Sequence, residues 1–126
     1  MQSLPLVRYI LRDEAVTRGL GDIEASLITD WLAGRAEQLA ETAACEEQAW
    51  EQVQRLCQRA RVISCFVRLW SNPISRGSAM QVVANERLHW PLPHGDMEPD
   101  ELMLDLLRWI DRQDKIIAEA TPARAA

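Results

Sequence analysis

The sequence predicts an all-α fold, in the form of a bundle of four or five helices around a central buried helix at about residues 46–71. Proline is absent from residues 23–70, and the apolar residues there recur at spacings of three and four. The stretch Val62–Trp70 is apolar on nearly every face, which is typical of a helix surrounded by other helices. The chain has 126 residues, 48% of them hydrophobic, which is enough for one domain with its own core.

The first helix is predicted from about Leu4 to Arg18. Pro5 is tolerated there because the first turn of a helix has N–H groups without helical partners. Gly19 and Gly21 then end the helix, one of them in the left-handed conformation that glycine adopts without strain. The apolar residues on one side of this helix are Leu6, Val7, Ile10, Leu11 and Ala15.

Residues 23–70 carry two helical stripes. We expect a break between them near Thr42–Glu46, because a single helix of that length would be unusual in so small a domain. The first stripe consists of Ile23, Leu27, Ile28, Trp31, Leu32, Ala36, Leu39 and Ala43. The second stripe consists of Trp50, Val53, Leu56, Cys57, Ala60, Ile63, Val67 and Trp70.

The segment at residues 79–90 fits two secondary structures. Asn72 and Pro73 end the preceding helix, because a residue before proline avoids the helical region. The helix-forming content of the segment favours a helix capped by Ser78, whereas its alternation of apolar and polar residues also fits a strand. In the second case the fold is α+β, with a small hairpin formed by residues 62–90.

The last helix is predicted to begin between Asp96 and Pro99 and to continue to about Ala118. Residues 1–120 then form a single helical domain, and residues 121–126 form a frayed tail of small residues. The predicted core face of the last helix consists of Leu102, Leu106, Trp109, Ile110, Ile116 and Ile117.

Charge and composition exclude several classes of partner. The chain has 14 basic and 19 acidic residues, and the resulting net charge of −5 argues against binding to nucleic acid or to an anionic membrane surface. The longest nearly apolar run is far shorter than the roughly 20 residues of a membrane span. The first residues also lack the pattern of a signal peptide. We therefore expect a soluble protein without membrane association.

Cysteine usage indicates a reducing compartment. The three cysteines are an odd number without closely spaced pairs, which predicts free thiols and a cytoplasmic location. Arginine outnumbers lysine thirteen to one, which is typical of a GC-rich bacterial genome.

The chain has few motifs that are typical of catalysis or metal binding. Its two histidines are His89 and His94, and the Glu86-x-x-His89 spacing occurs in carboxylate-bridged di-metal bundles. Such a centre needs a second copy and two further glutamates, whereas this chain has one copy. No nucleophile motif or glycine-rich phosphate loop is present. We predict no cofactor and no bound metal. The alternative function is a small metal-binding or carboxylate-dependent helical-bundle enzyme. In that case the candidate metal ligands are Glu86, His89 and His94.

The charge distribution points to a function. Residues 30–54 carry six acidic residues and one arginine, whereas residues 55–87 carry six arginines and one glutamate. Segments of opposite charge can pair in an antiparallel two-fold dimer, although the same layout also complements helix dipoles. We therefore predict a non-enzymatic helical interaction or regulatory protein that forms a homodimer or binds a protein partner. The predicted interface residues are Trp31, Trp50, Arg55, Arg59, Glu47 and Glu51.

Overall fold

The computed structural model describes residues 4–93 and 97–120, and it confirms the predicted all-α fold. No strand occurs in these two ranges. A single 3₁₀ turn at Pro73–Ser75 leads into the fifth helix. The helices are α1 (Leu4–Leu11), α2 (Glu14–Thr17), α3 (Asp22–Thr42), α4 (Glu46–Trp70), α5 (Arg76–Asn85) and α6 (Pro99–Ala120).

Helix α4 is the centre of the fold, as the sequence predicts. It packs against each of the other helices, and its last two turns are enclosed most completely. Ser64 is a polar residue on its buried side, and its hydroxyl donates a hydrogen bond to the carbonyl oxygen of Val16 in α2. The buried residues of α4 are Ala49, Val53, Cys57, Ala60, Ile63, Ser64, Phe66, Val67 and Trp70.

Helices α3, α4 and α6 pack against one another, and α6 has the same direction as α3. The predicted break near Thr42–Glu46 is confirmed. Helix α3 ends at Thr42 and α4 begins at Glu46, and residues 43–45 belong to neither helix. Gly21, Val67 and Pro99 line one small cavity, which places the start of α6 beside the start of α3 and the end of α4. Further along both helices, Arg35 of α3 pairs with Asp114 of α6. No helix in the described ranges combines the length and the apolar character needed to cross a bilayer.

The predicted first helix, Leu4–Arg18, is two helices. The chain leaves the helical path after Leu11, and Asp13 caps α2 by accepting a hydrogen bond of 3.2 Å from the backbone N–H of Ala15. The other carboxylate oxygen of Asp13 accepts two hydrogen bonds from Arg61 of α4, at 2.9 and 2.7 Å. An aspartate whose side chain satisfies a helix start favours a new start over continuation. Gly19, at φ +77°, is the predicted left-handed glycine.

Residues 79–90 combine helix and loop. Helix α5 begins at Arg76 and ends at Asn85, whereas residues 86–90 lie outside it. Arg87 has a positive φ of 53°, which reverses the chain and prevents the helix from continuing to Trp90. The α+β alternative with a hairpin at residues 62–90 is wrong, because residues up to 70 belong to α4.

Three predicted core residues are exposed. Ile23 is 61% exposed, because it faces outward in the first turn of α3 while the adjacent Glu24 faces inward. Ile116 and Ile117 are 56% and 62% exposed, because α6 continues past Asp114, the last residue that it pairs with α3 and α4. The side chains of Leu6, Val7 and Leu11 and the predicted tail at residues 121–126 lie outside the described residues.

Candidate functional site

The outward face of α4 carries four charged residues at intervals of four. Glu47, Glu51 and Arg55 are exposed, and Arg59 is partly exposed. The midpoint of this series is Val53, which is fully buried on the opposite side of the helix. The sign of the charge inverts about that midpoint, because Glu51 and Arg55 lie two residues from it and Glu47 and Arg59 lie six residues from it.

The glutamines on this face and along its two edges have the same symmetry. Gln52 and Gln54 flank Val53 by one residue, and Gln48 and Gln58 flank it by five. A two-fold axis that crosses the outward face of α4 at the level of Val53 therefore places glutamine opposite glutamine and glutamate opposite arginine. The outward face of α4 is complementary to a second copy of itself in the antiparallel orientation.

The two arginines of this face differ in their surroundings. Arg59 donates two hydrogen bonds to Asp114 of α6, at 3.1 and 3.3 Å. Arg55 has no carboxylate within ion-pair distance among residues 4–93 and 97–120. Arg55 is therefore available to an outside carboxylate, whereas Arg59 is shared with its own chain.

Trp31 belongs to a network of hydrogen bonds and ion pairs between α3 and α6. Its indole Nε1 donates a hydrogen bond of 2.8 Å to Asp111, and the guanidinium of Arg35 lies 5.2 Å from the centre of its ring. Arg35 also pairs with Asp111 and with Asp114, the latter at 2.9 Å. Sequence reasoning assigned Trp31 to an interface between chains, and the structure places its polar atom in an internal contact.

Sequence reasoning missed the other members of this network, although two signals mark them. Arg35 is the one arginine among the acidic residues 30–54. Asp111 and Asp114 are three residues apart, which places them on one face of α6. A lone charge within a segment of the opposite sign is a candidate for an ion pair inside the fold.

Trp50 packs against the first helix. Its ring centre lies 5.5 Å from that of Tyr9, in an edge-to-face arrangement that aromatic pairs favour. Trp50 is half-buried as a result. Of the predicted interface residues, Trp31 and Trp50 therefore lie on helix–helix contacts, and the four charged residues share the outward face of α4.

An open groove of about 480 Å³ lies between α3 and α4, next to the network of Arg35. Leu39 and Leu56 are half-buried and provide its apolar floor. Arginines from both helices form its rim. The residues that line the groove are Arg35, Gln38, Leu39, Thr42, Gln52, Arg55, Leu56 and Arg59.

The candidate metal ligands do not share a helix face. Glu86 and His89 are exposed and lie beyond the end of α5, on either side of the reversal at Arg87. The di-metal comparison requires both on one helix, so this premise is wrong. His94 lies outside the described residues. Within the part of the chain that the structure describes, no three His, Cys, Asp or Glu side chains are grouped closely enough to hold a metal ion.

The thiols differ in accessibility. Cys45 is exposed before α4, Cys65 is partly buried, and Cys57 is fully buried in the core. Burial, together with the nearby charge of Asp13, raises the pKa of the Cys57 thiol to about 11. Cys57 is therefore protonated at neutral pH and acts as a small apolar side chain.

Comparisons with known proteins do not add to this description. No family model, curated protein or solved structure matches the chain.

Proposed function

We propose that this protein is a non-enzymatic helical interaction or regulatory protein that self-associates through the outward face of α4. The observation that supports the proposal is the inversion of charge about Val53, from Glu47 and Glu51 to Arg55 and Arg59. In an antiparallel homodimer each Glu51 faces the Arg55 of the second copy. Each Glu47 likewise faces an Arg59.

The expected dimer is weak and its orientation is specific. Surface ion pairs contribute about 0–1 kcal/mol each, and the outward face of α4 offers mainly polar side chains. Glu47 must also compete with Asp114 for Arg59, so the two symmetry-related pairs of Glu51 with Arg55 fix the register. Such an interface suits a regulated or concentration-dependent assembly better than a permanent one.

Charge exchange at two positions tests the proposal. We expect Glu51→Arg and Arg55→Glu each to reduce dimer formation, because each places like charges opposite one another. The double variant E51R/R55E restores opposite charges at both contacts and should recover dimerisation. Sedimentation equilibrium over a range of protein concentrations measures the dissociation constant.

Glu37→Arg is the matched control, because Glu37 is an exposed glutamate on α3 and the substitution has the same change in charge. It should leave the dissociation constant unchanged. A wild-type protein that stays monomeric at millimolar concentration contradicts the proposal. A double variant that folds normally by circular dichroism but stays monomeric, while the wild type dimerises, contradicts it as well.

A further inference from the structure

We propose that the groove between α3 and α4 is a binding site for an acidic amphipathic helix of another protein. The groove shares Arg55 and Arg59 with the self-association face, whereas its α3 side and its apolar floor of Leu39 and Leu56 do not belong to that face. The juxtaposition that carries the inference is an apolar floor of Leu39 and Leu56 bordered by Arg35, Arg55 and Arg59.

The residues that line the groove are suited to a helix with one apolar face. Along α3 the lining extends from Arg35 to Thr42, which corresponds to about 10 Å or two helical turns. Two turns are the length over which a docked helix presents apolar residues at positions i, i+3 or i+4, and i+7. Leu39 and Leu56 are only half-buried, so their remaining apolar surface is available to such residues.

The charge of the lining selects an acidic partner. The lining contains three arginines, and no carboxylate belongs to it among the described residues. The nearby Glu37 and Glu41 are each about 160° around α3 from Leu39, so they face away from the groove. The overall charge of −5 does not attract an acidic partner from a distance, so recognition depends on short-range contacts with the guanidinium groups.

Helix α6 already binds two of the arginines of the groove through its own carboxylates. It presents Asp111 and Asp114, three residues apart, to Arg35 and Arg59 at one end of the groove. Arg35 makes both contacts through Nη2, so within the described residues its Nε and Nη1 have no assigned acceptor. A second helix with carboxylates at the same spacing can contact these groups and Arg55 from the open side.

A designed peptide tests the inference. The probe is a capped, fluorescent helical peptide of about 16 residues, with leucines along one face and glutamates flanking them. Its control has lysine in place of each glutamate. Both are titrated against the Glu51→Arg variant, which removes the proposed self-association but leaves the groove lining intact. We expect the glutamate peptide to shift the backbone amide resonances of the groove residues, and the lysine peptide to bind at least tenfold more weakly.

Two pairs of substitutions locate the binding. Gln38→Glu with Thr42→Glu adds two carboxylates at exposed lining positions and should weaken binding about tenfold. Gln54→Glu with Gln58→Glu adds the same charge on exposed positions of α4 outside the lining, and should leave peptide binding unchanged. Circular dichroism checks that each variant is folded, and Arg55→Gln supplies a second lining variant with the same expected loss.

Several outcomes overturn the inference. They are the absence of amide shifts at about 1 mM peptide, equal binding of the lysine peptide, and unchanged binding in the folded lining variants. If octanoate, a small anion with an apolar tail, binds the groove as tightly as the peptide, the site belongs to a small molecule. If Gln38→Glu with Thr42→Glu, in an otherwise wild-type background, weakens self-association, the groove belongs to a second copy of the chain. Peptide binding is measured in the Glu51→Arg variant, so failure of the self-association proposal leaves the peptide and octanoate measurements unaffected.

Discussion

The two halves of α4 face different surroundings. In residues 62–70 the buried positions follow one another closely, and Ile63, Ser64, Phe66 and Val67 are almost completely enclosed. In residues 47–59 burial is confined to a stripe at every fourth position, formed by Ala49, Val53 and Cys57. One half of the helix is therefore a core element, and the other half is a surface element with a single buried edge.

The neighbours of each half explain this contrast. The ring of Phe66 stacks on Trp70 and meets Trp90 edge to face, with ring centres 5.9 and 5.6 Å apart. In the first half Trp50 contacts Tyr9, and Arg59 reaches Asp114, but a groove remains open on the side of α3. A helix that is rigidly anchored at one end can present a polar face at the other end without losing its position.

The largest effect is expected from Phe66→Ala, which removes the aromatic centre of the enclosed half. A fully buried phenylalanine replaced by alanine costs about 3–5 kcal/mol of unfolding free energy, because a cavity is left among rigid neighbours. Urea unfolding measured by tryptophan fluorescence provides the value.

Gln54→Ala is the control in the other half, where the side chain is exposed, and it should change the free energy of unfolding by less than about 0.5 kcal/mol. Similar losses for the two variants would remove the distinction between the halves of α4.

The next effect concerns Cys57. It tests whether solvent is excluded from the buried stripe of Ala49, Val53 and Cys57 in the first half of α4. In the unfolded chain this thiol ionises near its ordinary pKa of 9.0, whereas in the folded protein it stays protonated to about pH 11. The folded state therefore disfavours the thiolate. The stabilising contribution is complete below pH 9 and is lost as the pH rises from 9 to 11, by roughly 2 kcal/mol.

A Cys57→Ala variant lacks this ionisation, so the difference in stability between it and the wild type should shrink above pH 9. Thermal unfolding at a series of pH values measures the difference. In the native protein, iodoacetamide should modify Cys45 well before Cys57, because Cys45 is exposed. Equal rates of modification for the two cysteines would show that solvent reaches the stripe.

The two halves of α4 also differ in how well the sequence predicts their surroundings. The enclosed half of α4 was predictable because continuous apolar character, as in Val62–Trp70, has few explanations other than burial. The split at Asp13 was not, because it depends on a side chain that caps α2 and binds Arg61, 48 residues away in sequence. The exposure of Ile116 and Ile117 was likewise unpredictable, since periodicity defines a helix face but not where its neighbours end.

The sequence predicted the part of the candidate site that lies on one helix, and it did not predict the parts that form between helices. The spacing of Glu47, Glu51, Arg55 and Arg59 places them on one face from periodicity alone. The groove depends on how α3 packs against α4. Apolar periodicity defines a face on each helix, but it does not show which residues of the two helices lie beside each other. The role of Arg35 depends on α6, which begins more than sixty residues later.

The smallest effect on stability is expected from Asp114→Asn, where the surface half of α4 meets α6. The substitution removes ion pairs with Arg35 and Arg59, but these side chains are 25–37% exposed, and the loss should be about 0–1 kcal/mol and smaller still in high salt. Self-association should change in the opposite direction, because Arg59 is released to pair with Glu47 of a second copy. Sedimentation equilibrium should therefore show a tighter dimer for Asp114→Asn than for the wild type. Asp105→Asn removes the same charge from an exposed position of α6 outside the network and should change neither quantity. A weaker dimer in Asp114→Asn would mean that α6 supports the face of α4 rather than competing for it.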